Sequence, residues 1–222
     1  LLHAFMNKAP ERLLQSFTRR LSYLHDSKFA VEIAEEWLGK EGWIGAHIGN
    51  LNPFGIKVTN NIASVVPEQV LEAIERTANK EGGSEFTSRK HTNYIDFTRL
   101  LRKLAYEQHM FKRCVRLLCK YAVSEDPSEN SNSIRDILKS LFYIYLSGTH
   151  ATVKDRAGII EELVRSDDEN NWLLGLHLLD AALESWHFNS HYEFSFGARS
   201  RNYGYNPSTR KEVVNWYSTF VE

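Results

Sequence analysis

No uninterrupted apolar run in this sequence approaches the roughly 18 residues that a membrane-spanning helix needs, so no transmembrane helix is expected within it. Cysteine is scarce. Cys114 and Cys119 are the two present, and their spacing within one apolar periodic run turns them to different sides of a helix. That excludes a disulfide between them and implies two buried, reduced thiols, as in a cytosolic protein. Charge of one sign is lacking too. Basic and acidic residues nearly cancel to a net −1, whereas dedicated nucleic-acid binders carry a clear basic excess. Phosphate-loop, dinucleotide, nucleophile-elbow, zincin and CxxC patterns are all absent, which removes the familiar enzyme classes they mark. The opening residues LLHAFMNKAPER have neither a basic start nor a long apolar core, so they do not form a signal peptide. They also lack an initiator Met, and a piece of a larger protein is expected.

What is present is helical periodicity. Pro10 and Glu11 open a run with Leu13, Leu14, Phe17, Leu21 and Leu24 on one stripe. Asp26 and Ser27 offer a cap to a second run ending near Gly39. Residues 39–66, rich in glycine and asparagine, read as an irregular loop or a short hairpin. Helix resumes at Pro67, and residues 81–92 read as a polar, mobile linker. Further helices are expected over 93–105, 107–123 and 134–146, after Thr152, after Ser166-Asp167-Asp168, and after the capping-box pattern Thr209–Glu212. The expected organisation is therefore an N-terminal helical segment over 1–80, a linker over 81–92 and a helical-repeat segment over 93–222.

Two stretches can be laid over one another. Leu100, Leu101 and Leu104 match Ile159, Ile160 and Leu163; after a turn slightly longer in the second copy, Val115, Leu117 and Leu118 match Leu176, Leu178 and Leu179. A hairpin of this kind must stack on neighbours to bury both faces, which is the logic of an α-solenoid. The expected fold is all-α, built from irregular HEAT-like helix pairs with a Gly/Asn-rich insertion and an aromatic C-terminal extension; a non-repeat helical bundle is the alternative.

Several groups bear on chemistry. Lys112, Arg113, Arg116 and Lys120 form a basic stripe, with Arg99, Arg102 and Lys103 on the preceding helix. The stripe would meet phosphates or an acidic partner, or else form a solvated outer face. His187 and His191, with Glu193, have the spacing of two metal ligands on a helix, but Asn189 and Ser190 point to a helix already ended; no metal and no cofactor is expected. The segment from Phe196 to Tyr205, FGARSRNYGY, combines the residue types of interfaces and base-stacking surfaces. Its alternating predecessors Tyr192, Phe194 and Phe196 read instead as a strand-like end-piece over the last helices. Arg199 and Arg201 are expected to point outward, with Tyr203 and Tyr205 beside them.

The stretches RLLRKLAYEQHMFKRCVRLLCKYA, LSGTHATVKDR, LLGLHLLDAALESWHF and FGARSRNYGY resemble a helical region found toward the C-terminal side of large bacterial STAND or NACHT-type NTPases of antiphage defence. The resemblance covers about the C-terminal half and implies a sensor or scaffold module coupled to an ATPase core and an effector. No catalytic residue follows from it. Together these readings lead to the expectation of a cytoplasmic, non-catalytic module that binds a protein partner or adjacent domains of its own polypeptide. Nucleic-acid binding through the basic face is the alternative, and a metal-dependent enzyme fragment the third reading.

Overall fold

The computed structural model describes residues 9–126, 128, 133–186 and 195–221. Among these the regular structure is helical, with two isolated bridges, Thr149 to Gly204 and Phe196 to Arg199. The fold is all-α. The chain forms two compact units, Leu1–Lys80 with Ser195–Ser200 and Glu81–Phe194 with Arg201–Glu222.

In the first unit, α1 (Glu11–Leu21) packs on α3 (Pro53–Ile62), and α2 (Lys28–Leu38) packs on α4 (Pro67–Ala78). The stretch expected to be an irregular loop thus contains a full helix, preceded by a 3-10 turn at Ile48–Asn50. Its start signal is local: the Asn52 side chain accepts from the Gly55 amide at 2.8 Å, and Pro53 sits in the first turn. The glycines before it form no ligand loop. The Ile44 and Gly45 amides both donate to the Trp37 carbonyl, folding the chain back over the C-terminus of α2. Arg76 adds a bond to the Leu38 carbonyl at 2.9 Å.

The second unit begins where a linker was expected. Residues 83–86 form a short helix, α5 (Gly83–Phe86), and Phe86 is buried against Phe97 and Tyr121 with ring centroids 4.9 and 6.2 Å apart. One buried aromatic anchors an otherwise polar segment to the core. Helices α6 (Tyr94–Leu104) and α7 (Gln108–Val123) form one hairpin, and α9 (Val153–Val164) and α10 (Glu169–Leu183) form a second. Between them α8 (Ile134–Lys139) is much shorter than the 134–146 expected, and α11 (Arg210–Val221) packs on α9 and α10.

The caps explain these boundaries. Thr152 and Asp155 exchange side-chain bonds in a capping box, Asp168 accepts from Asn171, and Glu212 takes the amides of Ser208 and Thr209. At α8 the Ser133 hydroxyl accepts from the Asp136 amide, while the buried Glu125 carboxylate takes the Ile134 and Arg135 amides. A carboxylate there complements the positive end of the helix. Cys114 and Cys119 are buried and unbonded to one another. Burial pushes the Cys119 thiol up to about 12, so it is inert as a nucleophile at neutral pH.

Candidate interaction surfaces

The basic stripe of α7 turns partly toward its own unit. Arg116 forms a forked pair with Glu162 of α9 at 2.6 and 3.1 Å, and Lys112 lies 3.5 Å from Asp155. A side-chain hydrogen bond from Arg116 holds the Glu162 carboxyl below its usual range. Burial raises Asp155, but bonds from Thr152 and Gln108 and the Lys112 charge outweigh it and leave the carboxyl lowered. Arg113 is half-buried and Lys120 exposed. Arg102, grouped with this face in the sequence, is 4% exposed and is corrected to the core.

Arg102 and Arg156 together hold the loop that ends α8 early. Arg102 donates to the Ser140 hydroxyl at 2.9 Å and to the Ser147 carbonyl at 2.7 Å. Arg156, fully buried, donates to the Leu141 carbonyl at 2.8 Å, the Ala151 carbonyl at 2.5 Å and the Ser147 hydroxyl at 2.8 Å. Its guanidinium also faces the rings of Trp216, Tyr205 and Phe111 at 5.0, 5.6 and 5.8 Å. Burial pushes its pKa down, and carbonyl dipoles and ring faces replace the lost water. Within the loop Leu146 takes a left-handed φ of 55°, which a fixed frame on both sides sustains. The acceptors named here are backbone carbonyls and hydroxyls, which suits a structural frame.

The segment FGARSRNYGY divides at Ser200. Its first part belongs to the first unit, where Arg199 donates to the Ser64 carbonyl at 2.5 Å. Gly197 has φ 60°, and a Cβ there would lie 2.2 Å from the Ser22 carbonyl oxygen. Its second part belongs to the second unit. The Arg201 guanidinium lies 4.6 Å from the Tyr106 ring centre, and Asn202 bonds the Tyr106 hydroxyl. Gly148 donates to the Tyr203 carbonyl and Tyr205 to the Thr149 carbonyl, while the Tyr205 ring stacks on Trp216 at 5.5 Å. The expectation that Arg199 and Arg201 point outward is therefore corrected: Arg199 turns to backbone carbonyls and Arg201 lies on an aromatic face. Tyr203, 46% exposed, is the most outward of the predicted residues here. Tyr192 and Phe194, like His187, His191 and Glu193, lie outside the described residues. Among the described residues no three or more His, Cys, Asp or Glu side chains group to hold a metal.

The surface that sequence periodicity missed is the outer face of α10. Leu174, Leu178, Ala181 and Ala182 face the core. Trp172, Leu173, Leu176 and Leu183 are 42%, 42%, 37% and 39% exposed, and Leu179 is half-buried. The helix is therefore apolar on two sides, a pattern expected of a helix covered on both. Trp186, just past its end, is 78% exposed. The signal was present as an apolar run that leaves only a narrow polar edge; periodicity alone does not say which apolar side finds a neighbour.

No family model, curated protein or solved structure matches this chain.

Proposed function

We propose that the chain is a non-catalytic helical module that binds a protein partner through the outer face of α10, within a scaffold or sensor of HEAT-like character. The observation that carries the reading is the row of exposed apolar side chains from Trp172 to Leu183. A contiguous apolar face at the surface of a well-packed unit is the usual mark of a protein contact. The paired hairpins α6/α7 and α9/α10 support the repeat character, since stacked helix pairs offer long recognition surfaces. In this reading the module acts in the cytoplasm and relays partner binding to a neighbouring domain, the role that likeness to sensor regions of STAND or NACHT-type NTPases implies. No helix among the described residues is long and apolar enough to cross a membrane. The basic stripe is the less suited surface, because Arg116 and Lys112 already face carboxylates of α9.

Affinity purification from cells that express the protein tests this. Wild type and an Arg116→Glu variant are expected to retain the same partner protein, which Leu176→Glu loses while keeping its thermal melt. Retention by Leu176→Glu, or recovery of nucleic acid that Arg116→Glu abolishes, would count against the proposal.

A further inference from the structure

Resting on that reading, the structure also narrows the partner: we infer that α10 docks a basic amphipathic α-helix of a separate protein. Two independent features lead there, the spacing of the apolar row and the charge along one of its edges.

Trp172, Leu176, Leu179 and Leu183 follow one another at intervals of four, three and four residues. That is the spacing of a helix–helix seam, and it runs along about three turns, near 16 Å at 1.5 Å per residue. A helix laid beside it presents side chains at matching intervals. Leu173, on the flank of the row, also lines a hollow of about 140 Å³ with Ala122, Leu174 and His177, and the paired Glu125 and Arg135 form part of its wall. The hollow is well below the roughly 300 Å³ of small-molecule sites and accepts a single large side chain.

The charge is one-sided. Asp180 and Glu184 follow Leu179 and Leu183 by one position and lie along one edge of the row, with Glu169 in the first turn. Asp136 of α8 joins them. Besides burial, the charges of Glu184, Asp136 and Asp180 push the Tyr143 hydroxyl up. Lys139 reaches Asp180 at 3.4 Å, but the Asp180 side chain remains 74% exposed. An apolar seam with a carboxylate edge is complementary to a helix with a leucine-type seam and lysine or arginine beside it. Anionic lipid is repelled by the same edge. Two copies joined along this face by a two-fold axis would set these carboxylates near their own equivalents.

The test uses the whole chain and a two-heptad leucine–lysine peptide as probe, with its leucine–glutamate counterpart as control, followed by fluorescence anisotropy. The lysine peptide is expected to bind, and the glutamate peptide to bind at least about tenfold more weakly. Asp180→Lys with Glu184→Lys reverses that preference, and added salt weakens lysine-peptide binding. Leu176→Glu abolishes binding with the fold retained by circular dichroism. Equal or tighter binding of the glutamate peptide, lost in Leu176→Glu, overturns the basic partner while leaving α10 as a protein-docking face. Lysine-peptide binding that Leu176→Glu leaves intact overturns both. Failure of the lysine peptide to bind overturns the inference, as does a wild-type dimer in sedimentation that Leu176→Glu dissolves, which would assign the face to a second copy.

Discussion

In the hairpin α6/α7, Val115, Leu117 and Leu118 are 0%, 4% and 0% exposed; in the hairpin α9/α10 their counterparts Leu176 and Leu178 are 37% and 0% exposed, and Leu179 is half-buried. The two helices share a pattern of apolar spacing and differ in what surrounds it. On α7 the apolar arc is enclosed by α6, α8, α9 and α10, and the remaining side carries Arg116 and Lys120. On α10 the inner arc is enclosed in the same way, but the remaining side carries leucine and tryptophan. The difference separates two uses of a helical hairpin. The first hairpin ends its surface in charge and is finished; the second presents the kind of face that, inside a helical stack, the next element covers.

The largest expected effect comes from the frame that both hairpins share. Arg156→Leu leaves the Leu141 and Ala151 carbonyls and the Ser147 hydroxyl without their donor, and at about 1–3 kcal/mol for each such group more than about 5 kcal/mol of stability is expected to be lost in urea unfolding. Next come the inner arcs, where the comparison should show no difference. Leu118→Ala on α7 and Leu178→Ala on α10, both at fully buried positions, should each cost about 2–5 kcal/mol. A Leu178→Ala cost near zero would mean that α10 is not anchored as described.

The outer faces should then diverge. Arg116→Ala removes an exposed forked ion pair and is expected to cost about 0.2–1 kcal/mol, less at high salt. The pH dependence follows from Glu162, whose folded pKa is lowered. Its contribution is present above the ordinary carboxylate value of about 4.3 and is lost as pH falls through the lower folded value. Acid melts of Glu162→Gln should therefore fall less steeply below about pH 4 than those of wild type. Smallest is Leu176→Ala, expected to change stability by no more than about 0.5 kcal/mol, because the residue is 37% exposed and the better helix propensity of alanine offsets part of the lost contact. A loss of about 2 kcal/mol would show that the α10 face belongs to the core.

Parts of this arrangement were legible in sequence because their signals are local. Thr152 with Asp155, Asp168 before its helix, and Thr209 with Glu212 each mark a start through side chains that satisfy nearby amides. Helix α3 was not, because Gly55, Thr59, Asn60 and Asn61 are poor helix formers and tertiary packing on α1 overrides them. Residues 81–92 read as a linker because their one core contribution, Phe86, is a single aromatic amid polar neighbours. Arg102 read as part of a basic face and Arg156 gave no signal, since burying an arginine depends on carbonyls brought from a distant loop. FGARSRNYGY drew attention through its residue types. Its glycines serve close backbone approaches and its arginines meet carbonyls or a ring, leaving Tyr203 the most exposed of its aromatics. The face of α10 stayed hidden for the opposite reason: a leucine row reads as core, and only the neighbours decide.

Site-specific photo-crosslinking in cells tests the central contrast most directly, with the reactive side chain placed at position 176 of α10 or at position 120 of α7. The account predicts one protein adduct of defined mass from position 176 and none from position 120. Adducts from position 120 alone, whether protein or nucleic acid, would contradict it.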